Sequence, residues 1–161
     1  MTKFLHAAAF GVFALLSLST FAAAPAAADD SPNVKAMQGL YDAFGKGQIE
    51  TIIDAVSPDV TWEDYGDPAI CSCLGPHKGK DGVAAFFKSV GDTWDFSEFK
   101  PMTFTSDGDK VLVEGHYTMK SKATGKEVAA HFMHVVTFKD GKVTDFHEYT
   151  DTAAMAAALA K

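Results

Sequence analysis

An α+β domain follows from two observations. Apolar residues recur at helical spacing through the first half of the chain, and from Phe99 onward apolar and polar residues alternate in segments divided by Asp-Gly and Thr-Gly turns. Helices first and a meandering antiparallel sheet afterwards is the order in which one sheet face packs on helices. A length of 161 residues, 47% hydrophobic and 22% charged, suits one domain with its own core.

The elements follow in order. Met1 to His6 carry Lys3, Ala7 to Thr20 are almost wholly apolar, and Ala26-Ala27-Ala28 precede Asp29-Asp30. This is the order of a Sec-type signal peptide, so residues 1–28 are expected to be removed and 29–161 to form the domain, in a periplasm or outside the cell. Ser17, Ser19, Thr20 and Pro25 interrupt the stretch and weigh against an uncleaved membrane anchor. Ser31 and Pro32 fit an N-cap and first helical position, and Val34, Met37, Leu40, Tyr41 and Phe44 give the first helix its apolar stripe. After Lys46-Gly47 a second helical segment carries Ile49, Ile52, Ile53 and Val56, broken by Ser57-Pro58-Asp59. A strand is expected over Val60 to Asp64, a loop over Gly66 to Lys80, and a third helix from about Asp81 to Val90, ended by Gly91-Asp92. Four strands follow: Phe99 to Thr105, Val111 to Lys120, Glu127 to Phe138 and Val143 to Tyr149. The alanine-rich tail from Thr152 reads as a short terminal helix.

Within this frame two polar groups are out of place. Strand alternation puts Asp64 on the face of Val60 and Trp62, and His134 on the face of Phe132, Val136 and Phe138. A polar group in apolar surroundings costs roughly 2–7 kcal/mol when unpaired, so such positions persist when paired or functional. Glu148 shares the parity of Phe146 and points the same way. The formal charge is −7 and the chain contains no arginine, which disfavours nucleic acid and removes the bidentate fork suited to strongly anionic ligands. A small, neutral or mostly apolar ligand fits better.

The passages L-Y-D-A-F-G-K-G-Q-I (Leu40 to Ile49), D-V-T-W-E-D-Y (Asp59 to Tyr65), G-K-D-G-V-A-A-F-F (Gly79 to Phe87) and H-V-V-T-F-K-D-G-K-V-T-D-F-H-E-Y-T-D (His134 to Asp151) together resemble the nuclear transport factor 2-like superfamily, in particular its SnoaL-like and ketosteroid-isomerase-like members. The resemblance covers about all of 29–161 and implies a cone of curved antiparallel sheet packed on three N-terminal helices. It also implies that Asp64 stands where the isomerases keep their proton-shuttling aspartate and His134 where they keep a protonated aspartate. Leu40 falls at the position of the oxyanion-hole tyrosine, with Tyr41 one residue further on. The superfamily's epoxide hydrolases use an Asp-Arg-Asp arrangement that a chain without arginine cannot supply. Members commonly dimerise through the convex sheet face, so a homodimer is expected.

Asp64 and His134 are therefore the candidate catalytic pair, as general base and electrophilic donor in cofactor-free proton transfer of isomerase or dehydratase type. Trp62, Tyr65, Phe146, Glu148 and Tyr41 are the candidate ligand contacts, although Tyr41 and Phe44, like Phe86 and Phe87, also read as packing. The alternative is a non-catalytic ligand-binding or dimeric interaction module. Cys71-Ser72-Cys73, at the expected pocket mouth, leaves three readings open: a disulfide, loop thiols, or metal handling with His77. His116, His131, Met133 and His147 share the convex face, with His116 expected opposite His131 and Met133 opposite His147. No P-loop, dinucleotide fingerprint, G-x-S-x-G or H-E-x-x-H is present, and no cofactor or resident metal is expected.

Overall fold

A computed structural model describes residues 29–161, so the signal-peptide reading of 1–28 lies outside the described residues. Helices α1 (Pro32–Gly45) and α2 (Ile49–Ala55) lead into β1 (Val56–Asp64) and β2 (Gly75–Lys78). Helix α3 (Gly79–Thr93) precedes the meander β3 (Trp94–Asp107), β4 (Lys110–Ser121), β5 (Glu127–Lys139) and β6 (Lys142–Thr150), and α4 (Thr152–Leu159) closes the chain. Ser31 caps α1 by accepting from the Val34 amide at 3.2 Å, and Asp151 caps α4 by accepting from Ala154 at 2.9 Å. No described helix is long and apolar enough to cross a membrane.

The six strands form one curved sheet in the order β2-β1-β6-β5-β4-β3. The expected antiparallel sheet contains one parallel pair, β1 with β6, because α3 carries the chain to β3 at the opposite edge and the four-strand meander then brings β6 back beside β1. Val34, Met37, Ile52, Val83 and Phe86 from the helices meet Val60, Trp62, Phe132, Val136 and Phe146 from the sheet in a single core. The elements depart from expectation at their ends. Helix α2 does stop ahead of Ser57-Pro58-Asp59, and β1 begins earlier than expected, carrying Pro58 in an irregular stretch between Val56 and Thr61 where the register with β6 shifts. Part of the expected loop is β2, paired antiparallel with Thr61–Asp64, and α3 runs through Gly91 to Thr93, its last turn spanned by the Lys88–Asp92 pair.

The β5–β6 hairpin sets the position of the site. Asp140 and Gly141 have φ of 51° and 74°, the conformation of a two-residue hairpin turn that pairs Lys139 with Lys142. One bulge follows, with Thr144 as the extra residue, so His134 pairs with Glu148 and Met133 with Tyr149. Met133 thus faces Tyr149 and not the expected His147. The parity survives, and His116 does face His131.

Gly115 on β4 is a second fixed point. An added Cβ there would lie 2.3 Å from Phe132 Cζ and 2.6 Å from the Lys100 carbonyl oxygen. The absent side chain lets the Phe132 ring lie across β4 and stack on His134 with centroids 4.3 Å apart. Gly115→Ala is expected to destabilise the domain by about 1–3 kcal/mol through overpacking, read as a lower urea midpoint.

Candidate active site

Register brings three polar side chains into one row. Asp64 on β1 neighbours Glu148 on β6, which neighbours His134 on β5. All three face the helices and line a partly open cavity of about 90 Å³ whose other walls are almost entirely apolar or aromatic. His134 Nε2 lies 3.0 Å from Glu148 Oε2, and His134 Nδ1 lies 2.7 Å from the hydroxyl of Tyr41, which descends from α1. The expectation that Leu40 takes the place of a donating tyrosine is thus corrected. The helical stripe turns Tyr41 inward, and its hydroxyl reaches the centre of the site.

Burial sets the electrostatics. It drives the His134 imidazole down to about 3 against the pull of Asp64, so the ring is neutral at physiological pH. It pushes Glu148 up to about 7 despite a hydrogen bond with Asp64, and it pushes Asp64 well above the usual carboxylate range, helped by the Glu148 charge and opposed by His134. The Tyr41 hydroxyl is raised by burial and then by Glu148, so it keeps its proton. Two adjacent buried carboxyls of raised pKa share one proton more readily than they carry two charges.

A neutral imidazole between a tyrosine and a carboxyl has two self-consistent states. With the shared proton on Asp64, Nε2–H donates to the Glu148 carboxylate and Nδ1 accepts from Tyr41 O–H. With the proton on Glu148, the carboxyl donates to Nε2 and Nδ1–H donates to the Tyr41 oxygen, which frees the phenolic hydrogen for another acceptor. Both ring nitrogens are engaged in either state, so the expected direct donation from His134 to a ligand is replaced by donation through Tyr41. Asp64 Oδ1 is buried and has no hydrogen-bond partner among the described residues. The indole Nε1 of Trp62 and of Trp94, residues that also line the cavity, are likewise buried without a partner, so Asp64 Oδ1 is the unpartnered acceptor among them.

The remaining candidates divide. Trp62 and Phe146 line the cavity and stack on each other with centroids 3.8 Å apart, and Glu148 and Tyr41 belong to the polar row itself. Tyr65 does not line the cavity: one step beyond Asp64 the strand's alternation turns it to the opposite face, where it stacks on His147 and packs at a tilt against Tyr149. Cys71 and Cys73 form a disulfide, both buried, with Cys73 in the cavity wall rather than at an exposed mouth. Bonded to each other, the two sulfurs offer no thiolate, and the metal-handling reading with His77 is corrected on that ground. His77 instead packs on Phe86 and is held below its usual pKa by burial, with a Cys73 backbone contact opposing. Among the described residues no three His, Cys, Asp or Glu side chains are placed to hold a metal ion. The residue whose role sequence reasoning missed is Tyr41, and the available signal was a hydroxyl on an otherwise apolar helical stripe.

The SnoaL-like domain family matches residues 37–146. None of the curated proteins matches. Among solved structures, an NTF2-like protein of unknown function from Burkholderia pseudomallei is 26% identical, covering 81% of this chain and 99% of its own with a TM-score of 0.74. An NTF2-like protein from Burkholderia xenovorans is 27% identical, covering 80% and 95% with a TM-score of 0.72. TerC, co-crystallised with polyporic acid, is 27% identical, covering 80% and 98% with a TM-score of 0.70.

Proposed function

The chain belongs to the SnoaL-like domain family, and from that premise we propose that it is an exported, cofactor-free acid–base enzyme of isomerase or dehydratase type, acting on a small, neutral, mostly apolar carbonyl compound. The single observation that carries this reading is the unpartnered Asp64 oxygen beside a Glu148–His134–Tyr41 relay in a cavity with almost wholly apolar walls. Asp64, with the shared proton resting on Glu148, is the base that removes a proton next to the carbonyl. Tyr41 donates to the oxygen that gains charge, and His134 passes the Glu148 proton's influence to Tyr41. A low-dielectric wall strengthens each of these interactions. The organic molecule in the TerC crystals is in keeping with a small-molecule ligand for this chain.

Export rests on the charged, apolar and small-residue order of 1–28, and a disulfide between Cys71 and Cys73 suits an oxidising compartment. A homodimer through the convex face bearing His116, His131 and Met133 completes the proposal. The chemistry is tested by incubating the protein in D₂O with a panel of small cyclic ketones and β-hydroxyketones and following α-proton signals by NMR. Protein-dependent exchange or water elimination is expected. Members that bind without either reaction overturn the catalytic reading and leave a non-catalytic ligand carrier.

A further inference from the structure

The cavity is too small for the ligands its walls invite. An apolar cavity of about 150 Å³ takes a benzene, whereas this one measures about 90 Å³. A ring fits only if a wall yields, and one wall has open space behind it. A groove of about 1,040 Å³ runs over the surface between α1 and β3, and Tyr41, Phe44, Phe96 and Phe99 line both it and the cavity. These four rings are the partition between the cavity and the groove. Their centroids lie 4.9 Å apart for Phe44 and Phe99, 5.7 Å for Tyr41 and Phe99, and 5.8 Å for Phe44 and Phe96.

Phe99 is the member of the partition built to move. It sits on β3, the edge strand of the sheet, between two register shifts, one at Phe96/Glu98 and one at Pro101/Thr103. Each shift interrupts the ladder to β4 and bends the strand, so the short segment that carries Phe99 has hydrogen bonds to one neighbour only and breaks on both sides. On the groove side, Asp42 and Lys46 from α1 and Glu98 from β3 put both signs of charge along the rim, and Glu98 is occupied by His116 at 3.2 Å. Such a rim favours no net charge in its occupant.

We propose that the groove is the outer half of the ligand site and Phe99 its door: a ring entering the cavity displaces Phe99 toward solvent and leaves an uncharged, extended substituent lying in the groove against Phe44 and Phe96. The substrate class is then a two-part molecule, a single ring presented to Asp64 and Tyr41 with a flexible tail. This inference rests on the proposed reading of the cavity as the ligand site, and the test separates the two.

Phenol, 4-methoxyphenol and 4-hexyloxyphenol serve as probes, titrated into the protein beginning at Asp29 by calorimetry, with association rates from stopped-flow fluorescence of the cavity tryptophans. Methylene burial along the groove is expected to make the hexyloxy compound bind on the order of tenfold or more tighter than the methoxy compound. Gly45 lines the groove, and an added Cβ there meets nothing within 4 Å. Gly45→Trp is expected to abolish the gain from the long tail while leaving phenol affinity within about twofold, and it leaves the core untouched. Phe99→Ala should speed association of all three probes on the order of tenfold. Equal affinities for the methoxy and hexyloxy compounds, or a Gly45→Trp variant that weakens phenol and the long probe alike, overturn the groove. Phenol failing to bind the folded protein overturns the cavity reading itself, and the groove with it.

Discussion

Asp64→Asn is expected to lower α-proton exchange on the order of 10²–10⁴-fold, the span over which a positioned acid–base group contributes. Asparagine keeps the shape and the hydrogen-bonding reach of the side chain but takes up no proton. The fold should not suffer. Aspartate in this position is pushed well above its ordinary 3.8 by burial and by the Glu148 charge, so the folded state at neutral pH works against the ionised side chain. A neutral isostere removes that penalty, and the melting temperature should be unchanged or higher. The two readouts together identify the role: a group that is costly to the fold yet needed for turnover belongs to the chemistry. Exchange that persists in the variant at the wild-type rate would remove Asp64 from the mechanism. A variant that loses exchange only because it melts early would show instead that the carboxyl serves the fold.

Most of the architecture was legible in the sequence because one face of each element is buried. Val34, Met37 and Phe44 on α1 and Phe132, His134 and Val136 on β5 keep their period regardless of detail, and a periodic pattern fixes which side faces in. That is why Asp64, His134 and Glu148 could be placed on one surface before their contacts were known. What the pattern does not contain is register. The bulge at Thr144 brings Val143 onto the face of Phe146, against strict alternation, and it decides that Glu148 and not its neighbours meets His134. The same limit explains β2, whose four residues pair only because β1 offers an edge, whereas Tyr65 was legible all along, since one step past Asp64 its parity already puts it on the opposite face. Tyr41 was hidden for a different reason. Helical spacing assigns a ring to the core but carries no information on what its hydroxyl meets there, and only the β5 side of the core supplies His134 Nδ1 as its partner.

The buried Glu148–His134 pair also predicts how stability responds to pH, because its two members pull in opposite directions. Glu148 keeps its proton in the folded protein up to about 7, whereas the unfolded chain loses it near 4.5. Its contribution is fully present below 4.5 and is lost as pH rises toward 7. His134 behaves in the reverse sense. The unfolded chain binds a proton below 6.5, but the folded imidazole refuses it down to about 3, so its contribution is full above 6.5 and is lost as pH falls. Between pH 4.5 and 6.5 the two slopes oppose each other, and the wild-type protein shows little net dependence from this pair. His134→Gln deletes the rising slope and leaves the falling one. At about 1.36 kcal/mol per pH unit for one proton, the advantage of wild type over the variant should grow by about 2–3 kcal/mol across that window. Urea unfolding at pH 4.5, 5.5 and 6.5 measures it. Glu148→Gln should change the difference with the opposite sign, since it removes the falling slope. If the curves of wild type and His134→Gln run parallel, the imidazole titrates alike in both states, and neither the dry cavity nor the neutral relay between Tyr41 and Glu148 holds.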